Sequence, residues 1–173
     1  MVLNRGIRGL AAFLLVALLA VSCTVSYKFT GASIDYTKVR TVSISPFQNR
    51  AAYQWAPMAS MLDEAISDAF VQQTKLQQVA RAGDLNLEGE ITAYDQMNKS
   101  VSSDGYSSLV QLKMTVNVRF TNNTNHDEDF ERSFSATRDF DATQSLDSVQ
   151  EELVNQMIDE IVESVFNAAV ANW

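Results

Sequence analysis

The chain has 173 residues, with 21 acidic side chains against 13 basic ones and a formal net charge of −8. That length suits one domain with a substantial core, and so acidic a chain lacks the overall basic footprint that phosphate backbones demand, which excludes nucleic acid as a partner. Its single cysteine, Cys23, rules out an intramolecular disulfide.

Arg5 and Arg8 precede an uncharged apolar run from Leu10 to Val21, the layout of a secretory leader. As a helix this run would reach roughly 18 Å at about 1.5 Å per residue, short of the ~30 Å hydrocarbon core of a bilayer. It is read as a targeting segment. The run closes on Ala20, Val21, Ser22 and Cys23, small residues before a cysteine as in the lipobox of bacterial lipoprotein precursors, with Ala20 standing where leucine is usual. Residues 1–22 are therefore expected to be a cleaved signal peptide and Cys23 to carry the lipids. Two or more acyl chains, at about 0.8 kcal/mol per buried methylene, give stable anchoring. An ordinary secretory cleavage site would leave a lone thiol unexplained. Cleavage would leave 151 residues (173 − 22) with 11 basic side chains (13 − 2) against 21 acidic ones, a net charge near −10.

Residues 23–34 form the expected lipidated tether. No run of acids follows Cys23, which favours an anchor facing the periplasm. Lys38 to Ile44 alternates with β-branched residues and stops before Pro46, marking a strand. Phe47 to Trp55 has no clear period and reads as a loop with exposed aromatics. From Pro57 the period changes: Met58, Met61, Leu62, Ala65, Ile66, Ala69 and Phe70 recur at helical steps, with Pro57 in the first turn. A short strand at Leu76–Ala80 and a longer one at Leu85–Tyr94 follow, separated by a turn that Gly83 supplies. Ser100 to Ser108 is a polar connection. Leu112, Met114, Val116, Val118 and Phe120 alternate with polar residues in the clearest strand. An Asn/Asp-rich turn, Thr121–Asp129, returns the chain into a strand at Phe130–Phe140, where Arg132 and Arg138 share the parity of Phe130, Phe134 and Phe140. A bulge is predicted there to relieve the conflict. The last element is a long helix from near Asp147, with Asp147 and Gln150 in capping-box spacing. Val149, Leu153, Met157, Ile161 and Val165 make its apolar stripe, widened by Val154, Ile158, Val162 and Phe166. Its polar face carries Glu151, Glu152, Asp159, Glu160 and Glu163 without lysine or arginine, so the stripe is expected to pack on a sheet and not on a membrane surface. The order predicts an α+β fold: a two-layer α/β sandwich of about four main strands in a mixed or mostly antiparallel sheet with two helices on one face, spanning residues 35–173.

Chemistry-bearing patterns are sparse. His126, the only histidine, lies in the polar turn with no nucleophile placed beside it. Asp127, Glu128 and Asp129 lack the spacing and glycine of an EF-hand. Neither a phosphate-cradling glycine loop nor a cysteine–histidine cluster is present. No catalytic residue, metal or cofactor is expected, and the chain reads as a non-enzyme.

Four segments, YKFTGASI at 27–34, GDLNLEGEI at 83–91, VNVRFTN at 116–122 and AAVANW at 168–173, together with the lipobox, resemble the LptE family of lipopolysaccharide-assembly lipoproteins, as a divergent branch. The resemblance implies a small α/β sandwich anchored in the inner leaflet of the outer membrane, seated as a plug in the β-barrel LptD and helping lipopolysaccharide to reach the outer leaflet. Family members meet lipopolysaccharide through basic residues; Lys113 and Arg119, on the non-buried face of one strand, are the candidates here, beside an ordinary solvated role. The competing expectations are an auxiliary lipoprotein of an ABC-type phospholipid or solute transport system and, less favoured, a tethered periplasmic hydrolase.

Overall fold

A computed structural model of the chain describes residues 34–101 and 107–170. The leader, Cys23, the tether up to residue 33, most of the polar connection and Trp173 lie outside the described residues.

The elements are β1 (Thr41–Ile44), β2 (Gln48–Asn49), α1 (Met58–Gln73), β3 (Gln77–Val79), β4 (Leu85–Val101), β5 (Ser107–Asn122), a 3-10 turn (His126–Glu128), β6 (Phe130–Asp141) and α2 (Leu146–Val170). They build a six-stranded sheet in the order β3-β1-β4-β5-β6, with β2 on the same side of β4 as β1. β1 runs parallel to both β3 and β4, whereas β4, β5 and β6 form an antiparallel meander. The segment β1-α1-β3 is thus a crossover unit, the connection that parallel neighbours require. Both helices lie on one face. The architecture is the expected α+β sandwich; the strand count exceeds four because β3 is three residues long and β2, in the stretch read as a loop, only two.

Why this sheet has a wet and a dry face follows from the period of two in each strand. In β5, Leu112, Met114, Val116, Val118 and Phe120 are fully buried or nearly so. They face Met58, Leu62, Ile66 and Phe70 of α1 and Val154, Met157, Ile161 and Val165 of α2 across one continuous core. In β4 the buried set begins at odd positions, Leu85, Leu87 and Ile91, and then changes to Tyr94. The pairing with β5 slips between Ile91 and Ala93, so an extra residue, Thr92, resets the parity. Tyr94 thereby reaches the core, where its hydroxyl accepts a hydrogen bond from Gln150 Nε2 at 2.9 Å. Gln150 is itself buried. It does not cap the helix, as its spacing from Asp147 had predicted; it satisfies a buried phenol.

The bulge predicted in β6 is absent. β6 pairs with β5 without a register shift from Phe130 to Asp141. Arg132 and Arg138 stay in phase with the phenylalanines and are accommodated individually. The Arg132 guanidinium lies over the Phe130 ring, 5.1 Å from its centroid, and Arg138 reaches α2.

The turn before β4 also differs from expectation. The residue with left-handed backbone is Ala82, at φ 54°, not Gly83. Gly83 is required for space: a Cβ there would stand 2.5 Å from the Ser43 nitrogen. Asp84 completes this junction by accepting from the backbone N–H of Arg40 (2.8 Å) and Thr41 (2.9 Å) and from the Thr41 hydroxyl (2.9 Å). The Thr41 hydroxyl in turn accepts from the Asp84 N–H. Hydrogen bonding, chiefly from the Arg40 N–H, holds the Asp84 carboxyl below its ordinary value of 3.8. A depressed acid stabilises the fold above its unfolded pKa, and that contribution disappears as pH falls through the lower folded value. Asp84→Ala is therefore expected to lose about 2 kcal/mol at neutral pH, as for hydrogen bonds to a charged group. Its deficit relative to the parent should shrink in urea melts taken below pH 3.8. A deficit that stays constant in acid would show that the carboxylate's charge plays no part.

Candidate functional site

The helices leave the opposite face of the β4–β5–β6 meander uncovered. Its residues come in cross-strand rows fixed by the register: Glu88, Arg119 and Glu131; Glu90, Asn117 and Ser133; Ala93, Thr115 and Ser135; Asp95, Lys113 and Thr137; Met97, Gln111 and Asp139. The centre of the face is made of small side chains, with the Thr115 and Ser135 hydroxyls 2.9 Å apart. Longer charged side chains stand at either end.

Toward one end, Arg119 donates through Nε and Nη2 to one oxygen of Glu131 at 3.1 and 3.0 Å and through Nη1 to Glu88 at 3.3 Å. Asn117 adds a donor to the second Glu131 oxygen. These bonds, first Asn117 and then Arg119, hold the Glu131 carboxyl below its usual range. Beside this triad, Arg50 meets Glu90 at 2.9 Å, and a depression of about 400 Å³ opens between Pro46, Arg50, Glu88, Glu90, Arg119 and Glu131. Toward the other end, Lys99 and Gln111 both donate to Asp139 and lower its pKa, Lys99 most. All of these pairs are substantially exposed, so they orient side chains more than they stabilise the fold.

The two candidate cations thus have different surroundings. Arg119 is held between two carboxylates. Lys113, half-buried one row from the Lys99–Asp139 pair, has no ion-pair partner among the described residues. Arg50 was not legible as part of this face, because it comes from the aperiodic stretch after Pro46 and is placed by the pairing of Gln48 and Asn49 with Glu90 and Ile91 and by its own N–H donating to the Ile91 carbonyl at 2.9 Å. Cys23, the remaining candidate, lies outside the described residues.

The acidic turn uses the Glu128 and Asp129 carboxylates internally. Asn122 is completely buried; its N–H donates to Asp129 Oδ1 at 2.7 Å and its side-chain amide to Glu128 at 2.6 Å, while its Oδ1 accepts from Thr124 N–H and hydroxyl. Asp129 also faces His126 Nδ1 at 3.0 Å, on the surface. Those contacts close a hairpin. Among the described residues no three potential metal-ligating side chains gather, and no helix is long and apolar enough to cross a membrane.

Fold and face together define a two-layer α+β module with one helix-covered and one open, charge-paired sheet surface. The sequence model of LptE, described as lipopolysaccharide-assembly, matches residues 39–169, and the chain belongs to that family. Among solved structures, protein CT253 from Chlamydia trachomatis superposes with a TM-score of 0.55 at 13% identity, over 78% of this chain and 99% of that one. Lipoprotein B from Nitrosomonas europaea gives 0.54 at 13%, over 73% and 79%, and XCC0632 from Xanthomonas campestris gives 0.51 at 14%, over 75% and 84%. At such identities the likeness is one of fold. No curated protein matches the chain in sequence.

Proposed function

We propose that the chain is an outer-membrane lipoprotein, tethered through acyl groups on Cys23 and facing the periplasm, that partners an LptD-like β-barrel in carrying and inserting lipopolysaccharide. The observation that carries this reading is the family match across residues 39–169. The geometry supports it: the open sheet face carries small hydroxyl side chains at its centre and charges held in pairs at its ends, and it leaves Lys113 as a cation without an ion-pair partner among the described residues. Its role in that reading is to hold and fit, with no bond made or broken.

Lys113 and Arg119 are the proposed lipopolysaccharide contacts, and they are not equivalent. A phosphate approaching Arg119 must displace Glu131 and Glu88, whereas Lys113 offers a cation with no such competitor among the described residues.

The anchor is tested by metabolic labelling with a fatty-acid analogue. Cys23→Ser is expected to abolish incorporation and to move the chain from the membrane to the soluble fraction; label retained on the serine variant would rule the site out. The partnership is tested by detergent pull-down from outer membranes, where a large, heat-modifiable barrel is expected to co-purify and depletion of the chain to leave lipopolysaccharide behind in the inner membrane or periplasm. Recovery of an inner-membrane transporter instead would point to the transport-auxiliary role and against this one.

A further inference from the structure

β6 is the terminal strand of the sheet, is 12 residues long, and among the described residues pairs only with β5. A long regular edge presents a row of unpaired backbone groups to any other extended chain, and a second copy of the same strand is the most available partner. One device against this is a charge directed inward from the edge. Arg138 has that position. It shares the helix-facing parity of Ala136 and Phe140, both buried, and opposes Leu112 of β5. Its guanidinium donates through Nη1 to the Thr137 carbonyl at 2.8 Å and to Glu160 at 2.7 Å. Nε donates to the Gln156 side chain at 3.1 Å, and Nη2 to the Gln156 backbone carbonyl at 2.9 Å. One side chain therefore occupies a backbone acceptor of the edge strand and ties that strand to the middle of α2.

We propose that Arg138 is an edge guard: by folding a charged fork over β6 and onto α2, it keeps copies of this chain from joining β6 to β6 into a continuous sheet. The desolvation of that charge is what a second strand would have to overcome. Arg132 extends the protection toward the start of the strand by lying over Phe130. Such joining would be two-fold and antiparallel, with the same residues contributed by both copies.

The test uses the full chain in density-matched detergent. Arg138→Met keeps the aliphatic stem, Arg138→Gln keeps a hydrogen-bonding end, and both remove the charge. The parent chain is expected to sediment as a monomer across the concentration range, and the variants, with parent-like circular dichroism, to approach about twice its mass as concentration rises. A third variant, Gln156→Ala with Glu160→Ala, removes the two side-chain anchors on α2 and leaves the Gln156 backbone carbonyl to hold the charged fork over the edge; it is expected to remain monomeric. The proposal is overturned if the folded Arg138 variants stay monomeric, or if the helix-anchor variant associates to the same extent. Loss of folding in both Arg138 variants would overturn it as well, by making the residue a stability element and nothing more.

Discussion

Gly83→Ala is expected to destabilise the domain by about 3 kcal/mol, the upper part of the range for overpacking. The added Cβ would meet the Ser43 nitrogen at 2.5 Å, the Leu85 oxygen at 2.7 Å and the Val42 carbonyl carbon at 2.8 Å. All three are backbone atoms of β1 or β4, so no rotamer change relieves the contact. The two strands must separate, and the Gly83 N–H would lose its bond to the Ser43 hydroxyl. Its neighbour should respond with the opposite sign. Ala82 has φ 54°, a conformation that costs an alanine roughly 1 kcal/mol, so Ala82→Gly should be neutral or slightly stabilising. Urea unfolding of the pair checks both; a parent-like midpoint for Gly83→Ala would mean that β1 and β4 have slack the geometry does not show.

Phe70→Ala should cost still more, about 4 kcal/mol, because it removes a buried ring and leaves a cavity that its surroundings cannot fill. Phe70 is 1% exposed and meets Phe166 edge-on, with ring centroids 5.3 Å apart and planes at 68°. The pair joins α1 to α2, so its loss loosens the contact between the two helices. Phe70→Leu keeps most of the volume and should lose less than half as much. Equal losses in the two variants would assign the effect to the aromatic geometry and not to the cavity.

Much of the domain was legible because its strongest signals are local. The alternation from Leu112 to Phe120 and the helical steps from Met58 to Phe70 each identify an element without reference to any other. What escaped was set by partners distant in sequence. Gln150 stands in capping-box spacing from Asp147, but Tyr94, 56 residues away, claims it. Arg138 breaks the apolar parity of its strand, and only the position of α2 explains why no bulge is needed. β2 has no periodicity of its own; two residues become a strand because β4 is there to pair with them. The same limit applied to the open face. Lys113 and Arg119 are legible on the outer face by alternation with Leu112 and Phe120, whereas the encirclement of Arg119 by Glu88 and Glu131 depends on cross-strand register.

The mixed pairing has a consequence for the order in which the domain closes. β4, β5 and β6 are neighbours along the chain and can zip up as successive hairpins, but β1 must wait for β4, since Val42 pairs with Leu85, and such distant pairings form slowly. α2, which follows every strand among the described residues, packs on β6 and β5 and against α1. Until it arrives, Leu112, Met114 and Val116 have one of their two cover helices missing. Until α2 is in place the chain therefore carries a sticky, half-clad sheet, the interval in which a holding chaperone has most to do.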